Sequence, residues 1–330
     1  MGAEALPDDR PGTATGYRFA AVAAPEILRA RLEAVAEEEG LRGTVLVAEE
    51  GVNLTLHGVA SGLDAFLAAL RAEPGFEYFR WRRTAGPDVP PFRRLKVRVR
   101  REIVTLGRAG DTLVREGASR VAPEDWDRLL ADPAIPVVDV RNRYEIDAGR
   151  FEGAVDPGTE GFREFPAWVE AHLDPARTPE VAMYCTGGIR CEKVAAWMRG
   201  RGFRTVHELD GGVLAYLDAI PPERSRWQGE CFVFDERVSV REGLEVGSLA
   251  VCHGCRRPVD AAAMASSAWE PGVSCPACVD TVTEATLAAR RERRRQVALA
   301  AARGEVHLAP QEARPARPSP EPARCDGDSR

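Results

Sequence analysis

Apolar residues along this chain follow two periods, and each period predicts its own elements. Alternation and short apolar runs mark strands at residues 17–22, 43–48 (GTVLVA), 52–57 and 76–83. Helical spacing marks residues 25–39, with Ile27, Leu28, Leu32 and Val35 inward, and a second helix through Leu63, Phe66, Leu67 and Leu70. A second set of elements follows: a helix at 123–130, a buried strand at 135–140, an apolar segment with turn residues at 151–157 and an amphipathic helix at 162–173. Next come a buried strand at 181–184, a helix at 191–201, a short strand at 205–208 and a last helix through Leu217.

The first set runs β-α-β-β-α-β, which is the ferredoxin-like order. In the second set strands alternate with helices, which predicts an α/β domain with a mainly parallel sheet. The expected fold class is therefore α/β multidomain. Residues 1–15 lack periodicity and are expected to be disordered, 16–101 form the ferredoxin-like (acylphosphatase-like) domain and 102–121 a connector. Residues 122–225 form the α/β domain, 226–285 a small cysteine module, and 286–330 a basic helix and a disordered tail rich in Pro, Ala and Arg. The aromatics between 227 and 234 are expected to fold back on the α/β domain.

Composition narrows the classes. At 330 residues the chain has room for two or three domains, and 44% hydrophobic residues is ordinary for globular protein. There is no apolar signal core and no stretch near the ~18 apolar residues of a membrane helix, so a cytoplasmic protein without membrane contact is expected. Eight cysteines in a chain of this length do not make a disulfide scaffold. A net charge of −6 argues against an indiscriminate nucleic-acid binder but leaves local basic patches in play.

The chemistry centres on Tyr184-Cys185-Thr186-Gly187-Gly188-Ile189-Arg190-Cys191-Glu192-Lys193. A buried strand ends at Cys185, a tight loop follows, and a helix starts near Cys191. Such a loop aims backbone N–H groups at one point, and a helix N-terminus adds positive potential, so the Cys185 thiol pKa should fall. Gly187 and Gly188 permit the curl, and Arg190 closes the loop with a fixed charge. The four residues between Cys185 and Arg190 are one fewer than in the cysteine-phosphatase cradle, and the shorter loop suits a cysteine carrying one extra sulfur. A buried structural cysteine would not require two glycines and a placed arginine. The loop, Thr186, Gly187, Gly188 and Ile189 included, resembles the rhodanese active-site loop.

Cys252-His253-Gly254-Cys255 and Cys275-Pro276-Ala277-Cys278 form two C-x2-C knuckles nineteen residues apart. That spacing predicts a structural zinc held by Cys252, Cys255, Cys275 and Cys278, with a redox dithiol pair as the alternative. His253 lies inside a knuckle as a neighbour, and His57 is a strand-end residue without a metal partner nearby. Cys231 either resolves a persulfide or is packed. Residues 93–101 alternate so that Arg94, Lys96, Arg98 and Arg100 share one face and Leu95, Val97 and Val99 the other. With Arg80, Arg82 and Arg83 this face is a candidate phosphate surface. A solvated face paired to acidic neighbours fits the same pattern. The arginines at 290–295 are either a second RNA contact or a solvated arm.

Several strings now stand in order: Ala48-Glu49-Glu50-Gly51-Val52-Asn53, Arg94-Leu95-Lys96-Val97, Glu102-Ile103-Val104-Thr105-Leu106-Gly107, Asp139-Val140-Arg141-Asn142-Arg143-Tyr144-Glu145, Cys185 to Lys193, and Gly229-Glu230-Cys231-Phe232-Val233-Phe234-Asp235. Together, over residues 17–280, they resemble the rhodanese-domain tRNA uridine(34) hydroxylases. The resemblance implies oxygen-dependent 5-hydroxylation of the wobble uridine, with tRNA bound through its anticodon loop and molecular oxygen as co-substrate. It implies Cys185 as the catalytic, persulfide-type cysteine with Arg190. Asp139, Arg141 and Cys191 are expected in support. Asn53-Leu54-Thr55 departs from the glycine-containing form of the N-terminal motif. No flavin or nicotinamide fingerprint and no iron facial triad is legible in the sequence. A sulfurtransferase passing sulfur from thiosulfate or a persulfide is the alternative, and an RNA-binding module with a vestigial loop a third reading.

Overall fold

The computed structural model describes residues 10–85, 92, 94–108, 118–235 and 237–303. The expected disorder of residues 1–9 and of the tail beyond 303, the prolines at 87, 90 and 91, and residues 109–117 of the connector lie outside the described residues.

The N-terminal domain comprises β1 (Gly12–Phe19), α1 (Pro25–Glu38), β2 (Arg42–Ala48), β3 (Gly51–Gly58), α2 (Ala60–Arg71), β4 (Trp81–Ala85) and β5 (Leu95–Val99). Its sheet runs β4-β1-β3-β2-β5. The first three pairings are antiparallel, and β5 lies parallel to β2. Leu28, Leu32, Val45, Val47, Leu54, Leu56, Leu63, Phe66 and Leu70 meet in one core.

Three expectations need correction here. β1 begins at Gly12, so residues 12–15 are strand and not disordered. They pair with β3 on one side and β4 on the other, and a doubly flanked strand is held by its ladder whatever its hydropathy. Ile27 is 64% exposed, and the buried stripe of α1 is Leu28, Leu32 and Ala36 at strict i, i+4 spacing. Phe76 and Phe79 are not strand residues. They occupy successive turns, with Phe79 N donating to Phe76 O, and plug the core before β4 starts at Trp81. In β5 the alternation stands: Val97 joins the core with Leu95 and Val99 packed on it, while Arg94, Arg98 and Arg100 are exposed.

The α/β domain comprises β6 (Ser119–Val121), α3 (Pro123–Leu130), β7 (Val137–Asp139), α4 (Arg143–Ile146), β8 (Gly149–Phe151), α5 (Phe165–His172), β9 (Glu180–Tyr184), α6 (Ile189–Arg199), β10 (Thr205–Leu209) and α7 (Gly212–Ala219). Its parallel sheet runs β6-β10-β9-β7, with one apolar cluster on each face. β11 (Trp227–Gly229) pairs with β8, and β12 (Cys231–Phe232) pairs with β13 (Ser239–Val240) as a hairpin. Trp227, Cys231, Val233 and Val240 complete the second cluster. The small module drawn from residue 226 therefore starts later, at β14 (Ala250–Val251), β15 (Pro258–Val259) and α8 (Ala261–Ala265). Of the described residues, 282–303 form a separate unit. In it α9 (Glu284–Ala302) pairs Arg291 with Glu284 and Arg295 with Glu292. Among the described residues no helix is long and apolar enough to cross a membrane.

Candidate active site

β9 is buried at Val181, Ala182, Met183 and Tyr184, because it lies inside the sheet with helices on both faces. It delivers Cys185 to the C-terminal end of the strands, where ligands bind in open α/β sheets. The chain then turns through Gly188 at φ +100°, and Gly188 N donates to Cys185 Sγ at 3.1 Å. A side chain at 188 would also collide with the Tyr17 hydroxyl, 2.9 Å from its Cβ position. The helix starts at Ile189, two residues sooner than expected, so Arg190 and Cys191 lie in its first turn. The first turn of α7 fixes the cradle from behind: Val213 N donates to Cys185 O at 3.0 Å and Leu214 N to Thr186 O at 3.1 Å. Gly212, at φ +65°, permits this approach, since a Cβ there would come 2.5 Å from Cys185 O.

Cys185 is 1% exposed. Burial alone would raise its pKa. The Cys191 thiol donating to it, the Arg190 charge and the N–H groups of Cys191 and Arg190 outweigh burial and bring it down to about 5. Cys191 moves the other way. Burial, and its role as donor to Cys185, push its thiol well above the ordinary value. The two cysteines therefore divide into one thiolate and one protonated partner. Cys231 is packed in the second core, where burial pushes its thiol up to about 12.

Arg190 does not offer a free charge. Its Nη1 and Nη2 donate to Glu145 Oε2 and Oε1 at 2.7 and 2.8 Å, and Nη2 also reaches Thr186 Oγ1 at 3.2 Å. The Thr186 hydroxyl donates to Glu145 Oε1 at 3.2 Å. Burial would raise the Glu145 carboxyl, but the Arg190 guanidinium holds it below its usual range. Asp139 and Arg141 act one step further out. Arg141 Nε and Nη2 donate to Asp139 at 2.9 and 2.6 Å, Nη1 to Glu145 O at 3.2 Å and Nη2 to Gly149 O at 2.6 Å. The guanidinium faces the rings of Tyr184 and Trp227 at 5.7 and 4.9 Å. This box fixes α4, and α4 carries the clamp on Arg190.

The other wall is one that sequence reasoning missed. Tyr17, from the N-terminal domain, donates to Glu192 Oε2 at 3.0 Å. Arg120 bridges Glu192 Oε2 and Glu208 Oε1, each at 3.0 Å. The Glu208 side chain is 4% exposed, and among the described residues its Oε2 has no hydrogen-bond partner. Burial first, then the charges of Glu192 and Cys185, push its carboxyl up to about 8 against the pull of Arg120, so it holds a proton at neutral pH.

Two residues beyond Cys191, Lys193 is fully buried between domains. Its Nζ donates to Glu50 Oε1 and Oε2 at 2.7 and 2.8 Å, Glu102 Oε2 at 2.6 Å and Val104 O at 2.9 Å. Backbone N–H groups satisfy the surplus carboxylate charge: Ile103 donates to Glu50, and Leu106 and Gly107 to Glu102. Asn53 Nδ2 donates to Ile103 O at 3.1 Å. The motif strings at 48–53, 102–107 and 185–193 thus meet at one point.

The knuckle cysteines gather on their own. All four sulfurs lie within 4.8 Å of one another, with Cys252–Cys278 at 3.9 Å and Cys255–Cys275 at 3.7 Å. Four thiolates on a tetrahedral zinc at about 2.3 Å would stand about 3.8 Å apart, so the donor set fits that ion. His253 is not in the cluster. Arg94, Lys96, Arg98 and Arg100 remain on and beside β5, and among the described residues none makes an ion pair.

A family model described as the UPF0176 acylphosphatase like domain matches residues 12–103, and a rhodanese-like domain model matches residues 122–219. A protein named tRNA uridine(34) hydroxylase from Jannaschia sp. (strain CCS1) is 46% identical over 292 residues, 88% of this chain and 96% of that protein. Proteins of the same name from Rhizobium leguminosarum bv. trifolii and Gluconobacter oxydans are 45% and 46% identical, each over 88% of this chain and 94% of their own length.

Proposed function

The chain belongs to the tRNA uridine(34) hydroxylases, and from that premise we propose that Cys185 carries out an oxygen-dependent 5-hydroxylation of the wobble uridine in the anticodon loop. The observation that carries this reading is the cradle: a buried Cys185 whose Sγ accepts from Gly188 N at 3.1 Å at the start of α6, with Arg190 pinned by Glu145, a setting that brings the thiol down to about 5. The uridine is flipped toward the loop, as enzymes acting on a base require. Addition of the thiolate to C6 of uracil forms the C6–S bond and moves an electron pair toward C5 and O4, so C5 takes up oxygen as a hydroperoxide; two equivalents of an external thiol reduce this to the C5 hydroxyl and water and leave as a disulfide, and loss of the C5 proton with expulsion of the Cys185 thiolate restores the C5–C6 double bond. Glu208, held protonated by its buried setting, is the group this reading assigns as proton donor to the developing charge on the base. The relatives' name and the second domain covering the loop favour this reading over a plain sulfurtransferase. A tRNA substrate also favours a cytoplasmic protein.

The test is nucleoside mass spectrometry of tRNA from a deletion strain. Loss of 5-hydroxyuridine derivatives is expected, and loss of a thiolated base instead would establish the sulfurtransferase. With purified protein, label from ¹⁸O₂ should enter the modified uridine and label from H₂¹⁸O should not.

Cys252, Cys255, Cys275 and Cys278 hold one structural zinc in this reading, supported by their sulfur spacing. Metal analysis of protein purified without chelator should give close to one zinc per chain. Cys278→Ser should destabilise residues 250–280, since thiolate ligation supplies much of the folding energy of small zinc modules. A zinc content near zero would remove the site.

Binding of the RNA falls to Arg94, Lys96, Arg98 and Arg100. The lack of acidic partners among the described residues supports phosphate binding over a face paired internally. Changing two of the four to Glu should weaken tRNA binding and reduce the salt slope by about one for each phosphate that the variant no longer neutralises. An unchanged slope with normal affinity would move the RNA to another surface, with the arginines at 290–295 open to the same measurement.

A further inference from the structure

We propose that Phe234 is a stacking platform for an unpaired nucleobase that flanks the target uridine, an inference that rests on the tRNA reading above. A ladder of three rings connects the surface to the Cys185 loop. Tyr144 precedes Glu145, the residue that pins Arg190, and its hydroxyl lies within the field of both. The Tyr144 ring meets Phe232 edge-to-face at 5.5 Å, and Phe232 meets Phe234 the same way at 5.2 Å. Phe232 is buried, whereas Phe234 is 65% exposed.

A single exposed apolar side chain is ordinary, but this one is held out by a braced hairpin. Phe232 pairs with Ser239, and Val233 N donates to Val238 O at 2.8 Å. At the tip, Asp235 accepts from Arg237 N and Nε at 3.0 Å and from Nη2 at 2.6 Å. Val238 sits at φ +64°, a left-handed conformation that a β-branched residue rarely adopts. These contacts among residues 232–235 and 237–239 hold the ring outward before binding, which limits the ordering entropy lost on binding.

The chemistry of the occupant follows from the reaction. Turning one base out of an anticodon loop strips its neighbours of a stacking partner, and proteins that read single-stranded RNA replace such partners with aromatic rings. Arg143, exposed and without an ion partner among the described residues, stands next to Tyr144 for the accompanying phosphate.

The experiment measures binding of an anticodon stem-loop RNA to the full-length protein and its Phe234→Leu and Phe234→Trp variants, with folding checked by thermal melting. Leucine should weaken binding by about 5- to 150-fold, the range for one base–aromatic stack, and tryptophan should retain it. An abasic nucleotide beside the uridine should cost wild type a similar factor and cost the leucine variant no more. Wild-type affinity in Phe234→Leu, equal loss in both variants, or fully additive losses would each overturn the stack. So would a wild-type dimer in sedimentation that dissociates in Phe234→Leu. If wild-type protein neither binds nor hydroxylates the stem-loop, the tRNA reading falls with it. If wild type hydroxylates and Phe234→Leu matches it, only the stacking falls.

Discussion

Cys185→Ser is expected to lower the hydroxylation rate by at least on the order of 10³-fold while leaving the fold intact. The hydroxyl is nearly isosteric, but at neutral pH it supplies no anion, and the cradle that brings the thiol to about 5 cannot do the same for an alcohol. The pH behaviour follows with a definite sign. In the folded protein the Cys185 pKa lies below the ~8.5 of a free thiol. Ionisation of Cys185 therefore adds stability that is fully present above about pH 8.5 and lost as pH falls to about 5. Labelling of Cys185 by a small alkylating agent, read by mass spectrometry, should be flat above about pH 6 and fall about tenfold per unit below 5. Cys191→Ser keeps a donor and should change activity little, whereas Cys191→Ala should move the labelling onset to higher pH. Full activity in Cys185→Ser would remove this residue from the mechanism, and equal losses in Cys185→Ser and Cys191→Ser would point to a disulfide cycle.

Lys193→Met is expected to destabilise the protein by about 3–5 kcal/mol, the cost of breaking a buried ion pair from one side. Glu50 and Glu102 would remain buried with only backbone donors between them. Urea unfolding followed by tryptophan fluorescence measures the loss. Adding Glu50→Gln and Glu102→Gln to Lys193→Met should recover most of it, because neutral amides have far less to lose in a dry site. Loosening this lock also frees the N-terminal domain over the loop, so Cys185 should alkylate faster in Lys193→Met. A loss under about 1 kcal/mol would show that the pair is dispensable.

What was legible in the sequence was what repeats locally. The cradle from Cys185 to Cys191 and the two knuckles are short-range patterns, and their spacing carries their chemistry. The strand alternation of residues 94–100 was equally plain. Partnership at a distance was not. Glu145 lies among residues singled out for their resemblance, but nothing local says that its carboxylate meets Arg190. Glu50, Glu102 and Lys193 are far apart in the chain and have no shared period, so only the packed domains bring them together. Tyr17 looked like an ordinary strand aromatic. Helix faces failed where a small residue carried the stripe, as Ala36 does on α1 while Ile27 points to solvent.

The position of the Tyr17 hydroxyl over Gly188 has a further consequence, for how long the enzyme lasts. A thiolate is the form that peroxide attacks, and exposed low-pKa cysteines climb irreversibly to sulfinic and sulfonic acids. At 1% exposure beneath a second domain, Cys185 is ionised yet sheltered. The same cover that buries the sulfur thus also slows its oxidation, and Cys185 should react with peroxide more slowly than a free thiol of the same pKa.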